Sequence, residues 1–65
     1  MKIKLNGESH ETTARTVTEL LQELQAPEKG VAVAINGQVV RKAEQAQTPL
    51  HEGDHVELIR AVQGG

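Results

Sequence analysis

Three groups of residues in this sequence could take part in chemistry: the final Gly64-Gly65, the run His51-Glu52-Gly53-Asp54-His55, and the cations Arg15, Arg41, Lys42 and Arg60. A diglycine with nothing behind it turns the α-carboxylate of Gly65 into the candidate reactive group. That carboxylate is ionised at neutral pH, with a reference pKa of about 3.3–3.7, and it is a poor electrophile until something activates it. Glycine has no Cβ, so Gly64 and Gly65 could thread a channel too narrow for any side chain. Taken alone, the same pair also fits an uninformative end.

The histidine run is weaker. His51 and His55 flank two carboxylates, but on a turn their directions are not fixed, and a catalytic metal wants a third enforced ligand and a pocket. A solvated turn is expected there, with no metal. His10 falls on a polar, strand-like stretch and reads as surface. No serine has a base arrangement beside it, and no glycine-rich loop precedes a helix. There is no cysteine, which excludes disulfides, a thiolate metal site and any side-chain sulfur nucleophile. The cations read as solvated surface or as contacts to acidic partner surfaces. No catalytic residue is expected, and the chain does not read as an enzyme.

Composition narrows the classes further. The 65 residues make one domain near the lower size limit for folding without staples. There are no aromatic residues to stack on bases, and the formal net charge of −2 argues against a phosphate-binding footprint. Nucleic acid is therefore not an expected partner. The longest apolar run, Val31 to Ile35, is far too short to span a bilayer, and the N-terminus lacks a signal-peptide pattern. A cytoplasmic protein with no membrane association is expected.

The elements that would position the tail follow from periodicity. Met1, Ile3 and Leu5 alternate with Lys2 and Lys4, which predicts a half-buried strand. Asn6-Gly7 supplies the positive φ values of a two-residue hairpin turn, and residues 8–14 should return as an edge strand. Thr16-Val17-Thr18-Glu19 fits a capping box, and Val17, Leu20, Leu21 and Leu24 form one apolar stripe. The spacing predicts a helix over about 17–25, closed by Pro27 and Gly30. Val31 to Ile35 predicts a central strand, covered by the helix on one side and tightly approached on its alanine side. Asn36-Gly37 marks a second hairpin, with a short return strand over 38–40. Residues 41–49 read as irregular, with a turn of helix around 43–46. Leu50 should plug the core, and 55–61 should form the last strand.

If that last strand pairs parallel to the first, between the two hairpins, the result is an α+β, β-grasp (ubiquitin-like) domain. It would have a mixed four- to five-stranded sheet packed on one main helix. The expected core is Ile3, Leu5, Val17, Leu20, Leu21, Leu24, Val33, Ile35, Leu50, Val56 and Leu58. Residues 1–61 would be the β-grasp domain and 62–65 a flexible tail ending in Gly-Gly. With Val56 and Leu58 inward, Ile59 and Ala61 point outward. Together with Val62 and Gln63 they are the candidate partner-docking residues.

On these residues the chain resembles the ThiS family of small sulfur carriers. The resemblance covers the whole length: Thr16-Val17 with Glu19-Leu20-Leu21, the run Val31 to Gly37 with Val39-Val40, Gly53-Asp54, and the terminal Val62-Gln63-Gly64-Gly65. It departs in one segment, where the family often continues with Pro-Arg and a Trp a few residues later. This chain has Arg41-Lys42 and Gln45.

The resemblance implies a carrier acting as a co-substrate of partner enzymes, with no permanently bound cofactor. A ThiF-like adenylyltransferase would use ATP to convert the Gly65 carboxylate into an acyl adenylate. Sulfur from a donor such as a cysteine desulfurase would displace AMP, giving a thiocarboxylate that a ThiG-like thiazole synthase consumes in thiamine biosynthesis. Residues 62–65 extended reach about 13–14 Å, enough to enter a partner's active site, with Gly64 providing clearance. Two other readings share parts of this pattern: the sulfur-carrier subunit of a molybdopterin synthase, and a ubiquitin-like modifier or plain interaction module.

Overall fold

The computed structural model describes residues 1–26 and 30–60. It contains β1 (Lys2–Leu5), β2 (Glu8–Glu11), α1 (Val17–Glu23), β3 (Val31–Ile35), β4 (Gln38–Val40), a 3-10 helix (Lys42–Gln47) and β5 (His55–Arg60). The five strands form one sheet in the order β2-β1-β5-β3-β4. β5 runs parallel to β1, and the other neighbours are antiparallel. This is the mixed β-grasp sheet that the element order predicts, with the last strand between the two hairpins.

Both hairpins turn on Asn-Gly, with Asn6 at φ 51° and Gly7 at 84°, and Asn36 at 52° and Gly37 at 86°. Left-handed values at both central positions match the twist of the flanking strands, and asparagine and glycine are the residues that adopt them at least cost. β2 ends at Glu11 rather than Ala14. The cause is local: the Thr12 hydroxyl accepts from the Ala14 N–H at 3.0 Å, and that bond bends the chain away from the sheet toward the helix.

The capping box forms in altered shape. Glu19 N–H donates to Thr16 Oγ1 at 3.2 Å, while the Glu19 carboxylate accepts from the Arg15 N–H, one residue ahead of the cap, at 2.8 Å. The helix is shorter than the apolar stripe implies. It closes at Leu24, with Gln25 left-handed at φ 57°. Ala26 N–H donates to Leu21 O at 2.9 Å and Gln25 N–H to Gln22 O at 3.1 Å, the paired bonds of a Schellman motif. The stop therefore precedes Pro27, which lies outside the described residues.

One face of the sheet packs on α1. Ile3, Val17, Leu20, Val33 and Val56 are the fully buried side chains, joined by Ala14 and Leu50. Burying each large aliphatic side chain stabilises the fold by about 1.5–3 kcal/mol. Leu5, Leu21, Leu24, Ile35 and Leu58 pack at the margin, half-buried. Leu50 reaches the core because its segment is stitched to the helix start: Leu50 N–H donates to Arg15 O at 2.9 Å and Val17 N–H to Thr48 O at 3.1 Å. The opposite face differs from expectation. Ala34 is buried but Ala32 is exposed, so the alanine side of β3 is an open face rather than a tightly covered one.

Candidate functional site

The site is built on β5, the middle strand of the sheet, because this strand leads into the diglycine. Two turn asparagines grip it from opposite sides. On the β3 flank, Asn36 N–H donates to His55 O at 2.7 Å and His55 N–H donates to Asn36 Oδ1 at 3.0 Å. On the β1 flank, Asn6 N–H donates to Val56 O and Leu58 N–H donates to Asn6 Oδ1, both at 2.9 Å. The same left-handed conformation that closes each hairpin thus aims an asparagine side chain at β5. The turn before β5 is held too: Asp54 Oδ1 accepts from Asn36 Nδ2 at 3.2 Å and Asp54 Oδ2 accepts from the His51 N–H at 2.8 Å.

Pairing register sorts the side chains of β5 by face, because directly opposed residues share a face. Val56 and Leu58 sit opposite Ile35 and Val33 on the helix side. Ile59 sits opposite Ala32, and Val39 of β4 sits opposite Ala34, so both valine and isoleucine lie on the open face. They are the exposed large hydrophobic residues among the described residues, Val39 at 74% and Ile59 at 55%. The outward direction expected for Ile59 is thus met, and the structure adds Val39, Ala32 and Ala34 to make a patch across three strands. Sequence reading missed Val39, because a lone valine in a three-residue strand carries no periodicity; only the register shows which face it takes. Ala61, Val62, Gln63, Gly64 and Gly65 lie outside the described residues.

The histidine run forms a turn. His51 is exposed, its Nδ1 3.9 Å from Asp54 Oδ2, and His55 points to the open face opposite Lys4. Among the described residues no three His, Cys, Asp or Glu side chains come together as a metal-holding group. No helix there is long and apolar enough to cross a membrane. His10 is tied into the fold: its Nε2 lies 3.1 Å from Glu23 Oε2, and the Thr12 hydroxyl donates to Glu23 Oε1 at 2.8 Å. The His10 contact first, then the Thr12 bond, holds the Glu23 carboxyl below its usual range. At the sheet edge the N-terminal ammonium donates to Glu11 at 2.8 Å, which raises the amine's pKa and lowers that of the Glu11 carboxyl. Gln45, at the position of the expected departure, is buried in the 3-10 helix. It lines a half-open groove of about 330 Å³ with Leu21, Ala26, Val31 and Lys42.

Comparison with known proteins agrees with this geometry. The model of the ThiS family matches residues 3–65. The sulfur carrier protein ThiS of Thermus thermophilus is 39% identical over 61 residues, covering 94% of this chain and 95% of that protein. The sulfur carrier protein ThiS of Escherichia coli is 36% identical over the full length of both. A thiazole synthase of Paramagnetospirillum magneticum is 38% identical across all of this chain, which corresponds to 20% of that longer protein. Among solved structures, the thiamine biosynthesis protein ThiS of Geobacter metallireducens superposes with a TM-score of 0.85 at 30% identity, covering both chains fully. A complex of subunits 1 and 2 of the molybdopterin-converting factor of Helicobacter pylori gives 0.62 at 27% identity, covering 98% of this chain and 96% of that one. In sequence along nearly its whole length and in the β-grasp sheet that presents its C-terminal strand, this chain belongs to the ThiS family.

Proposed function

We propose that this chain, a sulfur carrier of thiamine thiazole formation, holds its sulfur on the carboxyl carbon of Gly65. The observation that supports this most is the arrangement around β5: a strand locked on both flanks by Asn6 and Asn36 is followed in the sequence, after three residues, by a diglycine. The chain contains no cysteine, so no side chain of its own can hold the sulfur as a persulfide. The relatives named ThiS are carriers, and this chain acts likewise as a co-substrate rather than a catalyst.

The chemistry runs in three balanced steps on partner enzymes. A Gly65 carboxylate oxygen attacks the α-phosphorus of ATP, giving an acyl adenylate and releasing pyrophosphate. The terminal sulfur of a protein persulfide then attacks the acyl carbon, and AMP leaves with the electron pair of the broken C–O bond. A thiol attacks the resulting acyl disulfide at the donor sulfur, becomes a disulfide, and frees the Gly65 thiocarboxylate. A thiazole synthase is the proposed acceptor. The longer thiazole synthase that contains a stretch matching this whole chain supports that choice. The open face with Ile59 and Val39 is the proposed docking surface, since an apolar patch rimmed by Lys4, His55 and Glu57 fits partner recognition.

Incubation with ATP, a ThiF-like adenylyltransferase, a cysteine desulfurase and cysteine, followed by intact-mass measurement, tests the reading. Exchange of one oxygen for sulfur, located at Gly65 by fragmentation, is expected. An unchanged mass with the E. coli carrier converted in parallel would overturn it. Transfer to a thiazole synthase and not to a molybdopterin synthase large subunit would separate the two carrier pathways.

A further inference from the structure

β5 is paired on both sides for only part of its length. On the β3 flank the ladder runs from Ile35 opposite Val56 to Val31 opposite Arg60. On the β1 flank it covers only His55 and Val56, opposite Lys4 and Leu5, because β1 turns away at Asn6-Gly7. Alternation fixes where each backbone group points. His55 exchanges bonds with Asn36 on the β3 flank, whereas Val56 O and Leu58 N–H meet Asn6 on the β1 flank. Leu58 C=O and Arg60 N–H therefore face the β1 flank beyond the turn, where none of the described strands stands. Neither has a hydrogen-bond partner among the described residues. A cleft of about 380 Å³, lined by Lys4, Asn6, Gly7, His55, Val56 and Glu57, opens beside the preceding half of β5.

Tail length limits what can approach. Five residues, 61–65, extend at most about 17–18 Å. An enzyme that acts on the Gly65 carboxylate must then bring its own surface against the end of β5, covering this edge. A covered N–H or C=O without a partner is costly, so the incoming surface has to supply an acceptor and a donor. We propose that the adenylating partner lays an extended segment along the Leu58–Arg60 edge of β5, accepting from Arg60 N–H and donating to Leu58 O. The partner segment takes the place that β1 vacates and so sets the direction in which the tail leaves the sheet. This inference rests on the Gly65 carboxylate being the adenylated group.

The test uses the full chain with a purified ThiF-like adenylyltransferase and ATP. Arg60 and Val31 form a pair whose backbone groups do not bond each other, so Arg60→Pro removes the outward N–H and leaves the β3 ladder intact. Arg60→Ala removes the charge and keeps the N–H. Arg60→Ala is expected to be adenylated within about twofold of wild type, and Arg60→Pro about tenfold more slowly in kcat/KM, the loss of roughly one hydrogen bond. Amide exchange at Arg60 in the wild-type chain provides an arm that does not depend on how the variant folds. It should slow at least about tenfold when the enzyme is added. Equal rates for the two variants, or an Arg60 amide that exchanges as fast in the complex as alone, would overturn the edge pairing. Failure of the wild type to be adenylated would instead remove the reading on which the inference rests.

Discussion

Asn36 and His55 are joined at two points, the Asn36 N–H donating to the His55 carbonyl at 2.7 Å and the His55 N–H donating to Asn36 Oδ1 at 3.0 Å. The two-point contact makes a hairpin turn act as a brace for the strand that carries the tail. Replacing Asn36 by alanine removes the side-chain acceptor, frees Asp54 Oδ1, and leaves at φ 52° a residue with no polar side chain to offset the left-handed conformation. A loss of about 1–3 kcal/mol is expected from the bond and the left-handed strain together. Asn36→Gly keeps the turn and loses only the two side-chain bonds, so its urea midpoint should lie between those of alanine and wild type. Equal midpoints for all three proteins would contradict the brace.

Gln25 ends the helix in a conformation that glycine adopts without steric cost. Its side chain is exposed. Gln25→Gly should therefore raise stability by about 0.5–1 kcal/mol, the left-handed penalty outweighing the added chain entropy. Thermal denaturation would show it as a rise of a few degrees.

The Glu23 carboxyl, bonded by His10 and Thr12, titrates below its usual range, so it contributes stability that is present above the unfolded carboxylate pKa of about 4.3. That contribution is lost as pH falls through the lowered folded value. Urea midpoints measured from pH 7 down to pH 3 should fall below about pH 4.3. Glu23→Gln should flatten the fall by lowering the midpoint above about pH 4.3, where the carboxylate contributes, while leaving the acid end little changed.

Ile59 and Val39 face away from the core, so charge placed there should not disturb folding. Ile59→Glu is expected to keep the melting temperature within about two degrees, as surface substitutions do. It should weaken binding to the adenylyltransferase or the thiazole synthase by at least about tenfold, the scale of a lost apolar contact at an interface. Calorimetry with each purified enzyme would measure both. Unchanged affinity for both would remove this face as the docking surface.

Gly64→Val should leave the fold intact and abolish adenylation, because a branched Cβ cannot pass a channel shaped for glycine. Pyrophosphate release is the direct readout, and a normal rate would sink the channel argument.

Much of the fold was legible in local pattern. Asn6-Gly7 and Asn36-Gly37 marked the turns, Thr16 to Glu19 marked the helix start, and the alternation of Ile3 and Leu5 predicted a core-facing strand. The ends of elements were less legible. β2 stops at Glu11 because a threonine hydroxyl takes a backbone N–H, and α1 stops before Pro27 because Gln25 adopts a conformation usually left to glycine. Neither choice is set by the residue type alone. Thr12 and Gln25 take these roles only once neighbouring elements hold them there.

The fold class was decided by the amino-acid sequence itself, through periodicities that admit one helix on one sheet, and the Gly64-Gly65 pair and the absence of cysteine direct the proposed chemistry. Those features are local, so composition and spacing express them fully. The geometry around β5 was decided only by tertiary structure. Asn6 and Asn36, fifty-two and nineteen residues from their β5 partners Leu58 and His55, converge on one strand. Val39 and Ile59 share a face through register, and Leu58 to Arg60 are left with one open edge. Such relations depend on which strands become neighbours, and burial of the whole core selects that arrangement, with no single segment sufficient to determine it.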